Sequence, residues 1–445
     1  SCGLHNDENS TFSNAGRVDF FSKNSCGLYN EGTVINQIGG TMMVIGEGGR
    51  GAINYNKVIN FGTVTINGGL SNGFLNVSNG NPGIYIGTGT FINDTKGILI
   101  VNGGSGSSSY GFDNHAAFSN KVGGTTVATG GSGNAAYGFF HRSNLTLNNS
   151  GILNTTGGSG KEAYGFLNGN SFTNEAEGTV NAIGGSGNKA YGFSNKSAFN
   201  NRGTVTASSN SVNTNYGFYN YQYFTNEAGG TVNTTGGSIS SSYGFYNIGI
   251  FENDSGSTVN TTGGLISLSH GFYNYGTFKN KSGGTVTVTG GSTTSSYGFY
   301  NTRSFWNEGT VNLIATKALN AYRGKINQSE ADSVIAGNTL AFVASDLISA
   351  VDVFGTLFDA SASFLEVKEL ASFLTNLITG GTIYITDSDL SITAQTKLKE
   401  AIYSTGVASD VTITFAGTGE RSVGQKVVNI THAQTLITAG YEGAV

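Results

Sequence analysis

The residue pattern predicts a mainly β chain: a parallel β-helix of about twelve rungs of 22–27 residues over 1–315, followed by a small α/β or α+β domain over 316–445. Three observations predict it. A glycine in a "YGF"-like unit recurs at Gly3, Gly27, Gly51, Gly73, Gly111, Gly138, Gly165, Gly192, Gly217, Gly244, Gly271 and Gly298. Aligned on that anchor, phenylalanine and asparagine fall into fixed columns. The composition, with 70 glycines, one proline (Pro82) and 11% aromatic residues, is glycine-punctuated but too aromatic for a disordered chain.

Each rung reads as three short strands. In the first, Phe112, Phe139, Phe166, Phe193, Phe218, Phe245, Phe272 and Phe299 follow the anchor. Two places further on come Asn114, Asn168, Asn195, Asn220, Asn247, Asn274 and Asn301, with His141 the single exception in that column. Side chains alternate faces along a strand, so these two columns share a face, and a column kept bulky and apolar points inward. The second strand carries Phe118, Phe172, Phe199, Phe224, Phe251, Phe278 and Phe305, and the third is "GGTVN" or a variant. A unit this short buries its apolar face only by stacking on neighbours, and stacked asparagine amides can hydrogen-bond from layer to layer. One step is longer, from Gly73 to Gly111, and "NVSNGNPGIYI" (Asn76–Ile86) reads as its insertion.

Cys2 and Cys26 both immediately precede an anchor glycine, which places them in one column of neighbouring layers. A layer spacing of about 4.8 Å suits a disulfide. A Cys2–Cys26 bridge is therefore expected, and with it an oxidising, extracytoplasmic setting. The repeat is already under way at Gly3, which leaves the first layer to continue into preceding residues or to dock on another subunit.

After about residue 315 the repeat stops. "EADSVIAGNTLAFVASDLISAVDVF" and "SFLEVKELASFLTNLI" have helix-compatible spacing, "GGTIYITDSDLSITAQTKLKEAIYSTGVASDVTITF" reads strand–helix–strand, and "QKVVNIT" a further strand. This segment is expected to cap the last layer or to serve in assembly.

Chemistry-bearing motifs are sparse. The net charge of −5 gives no basic footprint for nucleic acid, and no apolar run approaches the roughly 20 residues that span a bilayer. "GEGGRG" (Gly46–Gly51) has the glycines of a dinucleotide loop without its strand-to-helix context. "GGSGNKAY" resembles half of a calcium-binding nonapeptide but has Lys189 at the aspartate position. Ten places after the anchor, Lys121, Asn148, Glu175, Arg202, Glu227, Asp254, Lys281 and Glu308 form a column of mostly alternating charge, which reads as ion pairing between layers. His115 and His141 lack further ligands for a metal, and Asp387 and Asp389 read as a helix start. No catalytic residue, cofactor or metal site is assigned, and an enzyme is not expected.

Two outward columns are candidates for recognition. Tyr219, Tyr246, Tyr273 and Tyr300, with Tyr221, Tyr223 and Tyr275 nearby, predict an exposed aromatic strip that would serve as an interaction surface. Thr179, Thr204, Thr231, Thr258, Thr285 and Thr310 form a regular threonine array, which leaves ice binding as an alternative. Sequons at Asn76, Asn154, Asn233, Asn260 and Asn280 are what a chain this rich in Asn, Ser and Thr contains by composition.

The repeated "F-x-N…GGTVN" units over about residues 1–315 resemble the β-helical passenger regions of bacterial autotransporter adhesins and related surface β-solenoid proteins. The resemblance implies a right-handed, secreted or surface-attached rod. The expected function is thus a non-enzymatic extracellular structural or adhesive solenoid, self-associating into a surface fibre by end-to-end contacts or binding a host or surface glycan or protein. A carbohydrate-active or tailspike-like β-helix enzyme is the other alternative.

Overall fold

The computed structural model describes residues 2–77, 89–209, 211, 213–237, 241–264, 268–290, 296–307 and 309–315, together with strands at 322–324, 339–344, 382–387, 412–416 and 426–427. The described chain is a parallel β-solenoid on the order of ten turns, and no helix occurs among the described residues. It divides into two units, Ser1–Ile239 and Ser240–Val445.

In the first unit three parallel sheets wrap the core, each turn giving one strand to each. Sheet A runs from Leu4–Asn6 to Thr214–Asn220, sheet B from Thr11–Asn14 to Tyr223–Asn226, and sheet C from Arg17–Ser22 to Thr231–Thr235. A representative turn consists of Ser159–Asn168, Phe172–Asn174 and Thr179–Ile183. In the second unit the same pattern is repeated by Ser242–Asn247, Ile250–Asn253 and Thr258–Thr262 and their successors to Thr310–Ala315. Register is set by identity: Phe139 pairs with Phe166, Tyr137 with Tyr164, and Asn149 with Asn174. A one-residue slip would turn each inward phenylalanine to solvent, so the pattern fixes the pairing.

The interior is built from the columns the sequence displays. Phe112, Phe139, Phe166, Phe193 and Phe218 are fully buried, and successive rings stack 4.6, 5.1, 4.7 and 4.8 Å apart. The second-strand phenylalanines meet them, as Phe172 does Phe166 at 5.1 Å, while Val180 and Ala182 close the third side from sheet C. Each buried ring removes a large apolar area from water, and each favourable ring pair adds about 0.5–1.5 kcal/mol.

Asparagine ladders satisfy the corners. At the end of sheet B, Nδ2 of Asn149 donates to Oδ1 of Asn174 (2.8 Å), Asn174 to Asn201 (2.8 Å), and Asn201 to Asn226 (2.8 Å). The second amide hydrogen goes to backbone carbonyls where the chain turns, as from Asn174 to Gly178 O at 3.0 Å. A parallel ladder at the end of sheet A links Asn6, Asn30, Asn54, Asn76 and Asn114 at 2.7–2.8 Å.

The anchor glycine is where sheet A passes closest to the end of the sheet C strand in its own turn. A Cβ on Gly165 would lie 2.6 Å from both Gly192 O and Ile183 O, so a side chain has no room there. The long step between Gly73 and Gly111 falls after the strand Phe74–Asn76, and its expected insertion lies largely outside the described residues. Beyond residue 315, Thr339–Ala344, Thr382–Asp387 and Thr412–Ala416 continue sheet C of the second unit in parallel, and Lys426–Val427 pairs with Thr382–Asp387. The expected helices of 316–445 lie outside the described residues.

Candidate functional site

The outer face of sheet A carries a second layer of packed side chains. The anchor glycine interrupts strict alternation: Tyr110 and Asp113 stand three residues apart yet both lie outside, and the register runs Tyr110 to Tyr137 and Phe112 to Phe139 on either side of it. The residues before the anchor therefore form their own column. Tyr110, Tyr137, Tyr164, Tyr191 and Tyr216 stack nearly parallel, 4.8, 4.9, 4.5 and 4.9 Å apart. Burial raises the Tyr137 hydroxyl to about 12 and lifts Tyr164 further, where the hydroxyl also donates to Glu162 Oε2 at 2.8 Å.

This column changes the reading of the expected tyrosine strip. Tyr219 is half-buried, with its ring edge-on to Tyr216 at 5.0 Å. In the second unit Tyr246 and Tyr273 are likewise half-buried against Tyr243, at 5.0 and 5.6 Å, and Tyr300 packs on His270 at 5.2 Å. The exposed members are Tyr221 (52%), Tyr223 (57%) and Tyr275 (47%), the last covered on one side by the Arg303 guanidinium at 4.8 Å. Because the stacked rings cover one another's faces, the column presents ring edges outward.

A buried carboxylate interrupts the same surface. Asp113 is 3% exposed and accepts both prongs of Arg142 (2.8 and 2.7 Å) and Asn72 Nδ2 (3.1 Å). His115 Nε2 reaches it at 3.1 Å, and Arg142 lies over Phe140 at 4.3 Å. All of Asp113's strong acceptor directions are occupied, which makes it a structural tie between turns. His115 thus sits outside sheet A, whereas His141 is in the interior ladder.

His141 replaces an asparagine there. Its Nδ1 accepts from Asn114 Nδ2 (3.1 Å) and its Nε2–H donates to Ser171 O (3.0 Å). Burial lowers its pKa to about 4, so the ring is neutral. The next member, Asn168, keeps its donor to Asn195 Oδ1 (2.8 Å), but its own Oδ1 has no hydrogen-bond partner.

The outer face of sheet C is of another kind. From Thr41–Gly46 to Thr231–Thr235 none of its strands contains a charged residue. Thr179, Thr204 and Thr231 stand in register, as do Thr258, Thr285 and Thr310 in the second unit. Ile98, Ile152 and Ile183 are exposed at 41, 42 and 48%. Beside this face, charges pair at the corner between sheets B and C, where Arg202 bridges Glu175 (3.1 Å) and Glu227 (2.6 Å) and Lys281 meets Asp254 (2.6 Å). Asn148 does not belong to that column. It lies within the strand Leu147–Asn149, and Ser150 takes the corner position, because the preceding corner is two residues longer.

Cys2 and Cys26 form a disulfide with Cα atoms 4.8 Å apart, adjoining a small apolar cluster of Ile53, Leu75, Tyr29, Tyr55 and Val77. Gly46–Gly51 closes the strand Thr41–Gly46 and turns toward Ala52–Asn54, with no helix following. Of the sequons, Asn76 and Asn280 are buried ladder members, while Asn154, Asn233 and Asn260 face outward. Asp387 ends a strand, and Asp389 lies outside the described residues.

The fold thus defines a parallel β-solenoid with two unlike outer faces. Comparison with protein families, with curated proteins and with solved structures finds no match to this chain.

Proposed function

We propose that this chain is a non-enzymatic, extracellular structural or adhesive solenoid, with the outer face of sheet C, charge-free from Thr41–Gly46 to Thr231–Thr235, as its contact surface and end-to-end contacts building a surface fibre. The observation that carries the reading is that uncharged face, made mostly of β-branched and amide side chains over successive turns. Exposed sheets ordinarily carry charges that keep other surfaces away; a face without them meets an uncharged partner with little desolvation cost. The stiff χ1 of threonine, valine and isoleucine keeps the array ordered before contact, which lowers the entropy cost of binding. The Cys2–Cys26 disulfide supports an oxidising, extracytoplasmic setting. The engagement of Asp113 by Arg142 and Asn72 weighs against a carbohydrate-cleaving role for that carboxylate.

The test is negative-stain electron microscopy of the intact chain, with retention on uncharged glycan surfaces measured alongside. The parent should form filaments or be retained, and Thr179→Lys/Thr204→Lys/Thr231→Lys, folded by circular dichroism, should lose retention. Discrete particles that bind nothing, or a triple variant that binds like the parent, would contradict the reading. The in-register threonines also favour the ice-binding alternative, for which thermal hysteresis in the parent and its loss in the same variant would be the signature.

A further inference from the structure

The first two turns bring three potential ligand atoms together on the outer side of sheet A. His5 lies in the strand Leu4–Asn6, Asp7 just beyond it, and Glu31 just beyond the register partner Leu28–Asn30. His5 Nε2 is 3.6 Å from Asp7 Oδ1 and 3.3 Å from Glu31 Oε2, and one ligand atom from each residue lies within 4.8 Å of the others. Ligands about 2.0–2.2 Å from a tetrahedral ion stand about 3.4 Å from one another. The two measured separations bracket that edge.

The surroundings hold the donors in place. Tyr29 packs edge-on to the His5 ring at 4.8 Å, and its hydroxyl donates to Glu31 Oε1 at 3.3 Å, which leaves Oε2 turned to His5. The backbone N–H of Glu31 donates to Asn6 O at 2.8 Å, fixing the two corners to each other. The Cys2–Cys26 disulfide ties the same two turns on the near side. Ligand residues supported by hydrogen bonds and packing are what a metal site requires beyond its donors.

We propose that His5, Asp7 and Glu31 form a zinc site that clamps the first two turns. One imidazole nitrogen and two carboxylate oxygens suit Zn²⁺ and leave a fourth position for water or a group from a partner. A hard cation such as calcium takes six to eight oxygens, more than this set supplies. Zinc binds the neutral imidazole and ionised carboxylates, so protons compete with it for the site. The clamp belongs to the N-terminal turns and is independent of the adhesive reading of sheet C.

The test is calorimetric titration of the untagged, disulfide-intact chain with Zn²⁺ and separately with Ca²⁺ at neutral pH, together with the absorption spectrum of the Co²⁺ form. The proposal expects one zinc per chain, a Co²⁺ spectrum of tetrahedral intensity, and no comparable calcium binding. Glu31→Gln and His5→Gln should each weaken zinc by more than tenfold, and Tyr29→Phe by about tenfold. His5 is exposed and Tyr29 and Glu31 are half-buried, and circular dichroism checks that the fold is kept. No zinc binding, equal calcium binding, or unchanged affinity in Glu31→Gln and His5→Gln overturns it.

Discussion

At the scale of single residues, the interior is governed by whether each amide finds its partners. His141 is the one ring in an asparagine ladder, and it leaves Asn168 Oδ1 unsatisfied. An unmade hydrogen bond of this kind costs about 1–3 kcal/mol. His141→Asn should therefore stabilise the chain, since an asparagine Nδ2 at that place would donate to Asn168. The pH dependence follows from the same ring. Its folded pKa is lowered to about 4, below the ordinary value near 6.5, so the unfolded chain binds the extra proton first. Stability from this group is fully present above about pH 6.5 and is lost as pH falls toward 4. Urea unfolding at pH 7 and pH 4.5 should show a larger acid loss in the parent than in His141→Asn; equal losses would contradict the assignment. Asn174→Ala acts in the opposite direction. It removes bonds to Asn201, Gly178 and Thr204 and takes from Asn149 its shortest acceptor, so a drop of several degrees in melting temperature is expected.

At the scale of the strand and turn, the question is why each rung repeats a glycine. The close approach at Gly165 leaves no space for a methyl group, whereas Gly16 has nothing within 4 Å of where its Cβ would be. Gly165→Ala should unfold the turn or lower the melting temperature sharply, and Gly16→Ala should leave it nearly unchanged; similar effects at both would refute the close-packing account. The sequence shows the turn's elements well, because the phenylalanine, asparagine and threonine columns each obey a period of two within a strand. It is least informative where that period breaks. The tyrosine column before the anchor escapes an alternating reading because the bend at glycine puts Tyr216 and Tyr219 on one side. The in-register "Y" of every "YGF" was the available signal. Asn148 departs from its expected corner for a related reason: a longer preceding corner shifts the count by two without altering the composition. The His5, Asp7 and Glu31 grouping arises from positions on two turns and leaves no local motif.

At the scale of the whole molecule, stability accumulates layer by layer, as in other repeat architectures. The Cys2–Cys26 bridge closes a loop with a sequence separation of 24, for which chain entropy gives about 3 kcal/mol. Reduction should lower the midpoint of unfolding of the N-terminal turns, measured by hydrogen exchange, and leave the turns around Phe193 protected. The two outer faces of the first unit differ: the aromatic face of sheet A packs on itself, and sheet C from Thr41–Gly46 to Thr231–Thr235 presents uncharged side chains outward.

Like residues of successive repeats stack in register, and paired cysteines report that stacking. Thr179 and Thr204 face outward as register partners, about 4.8 Å apart by the layer spacing. Thr179→Cys/Thr204→Cys should close a disulfide under mild oxidation, while Thr179→Cys/Thr206→Cys, shifted by two residues, should not. Bonding in the shifted pair, or in neither pair with the fold intact, would contradict the stacked solenoid.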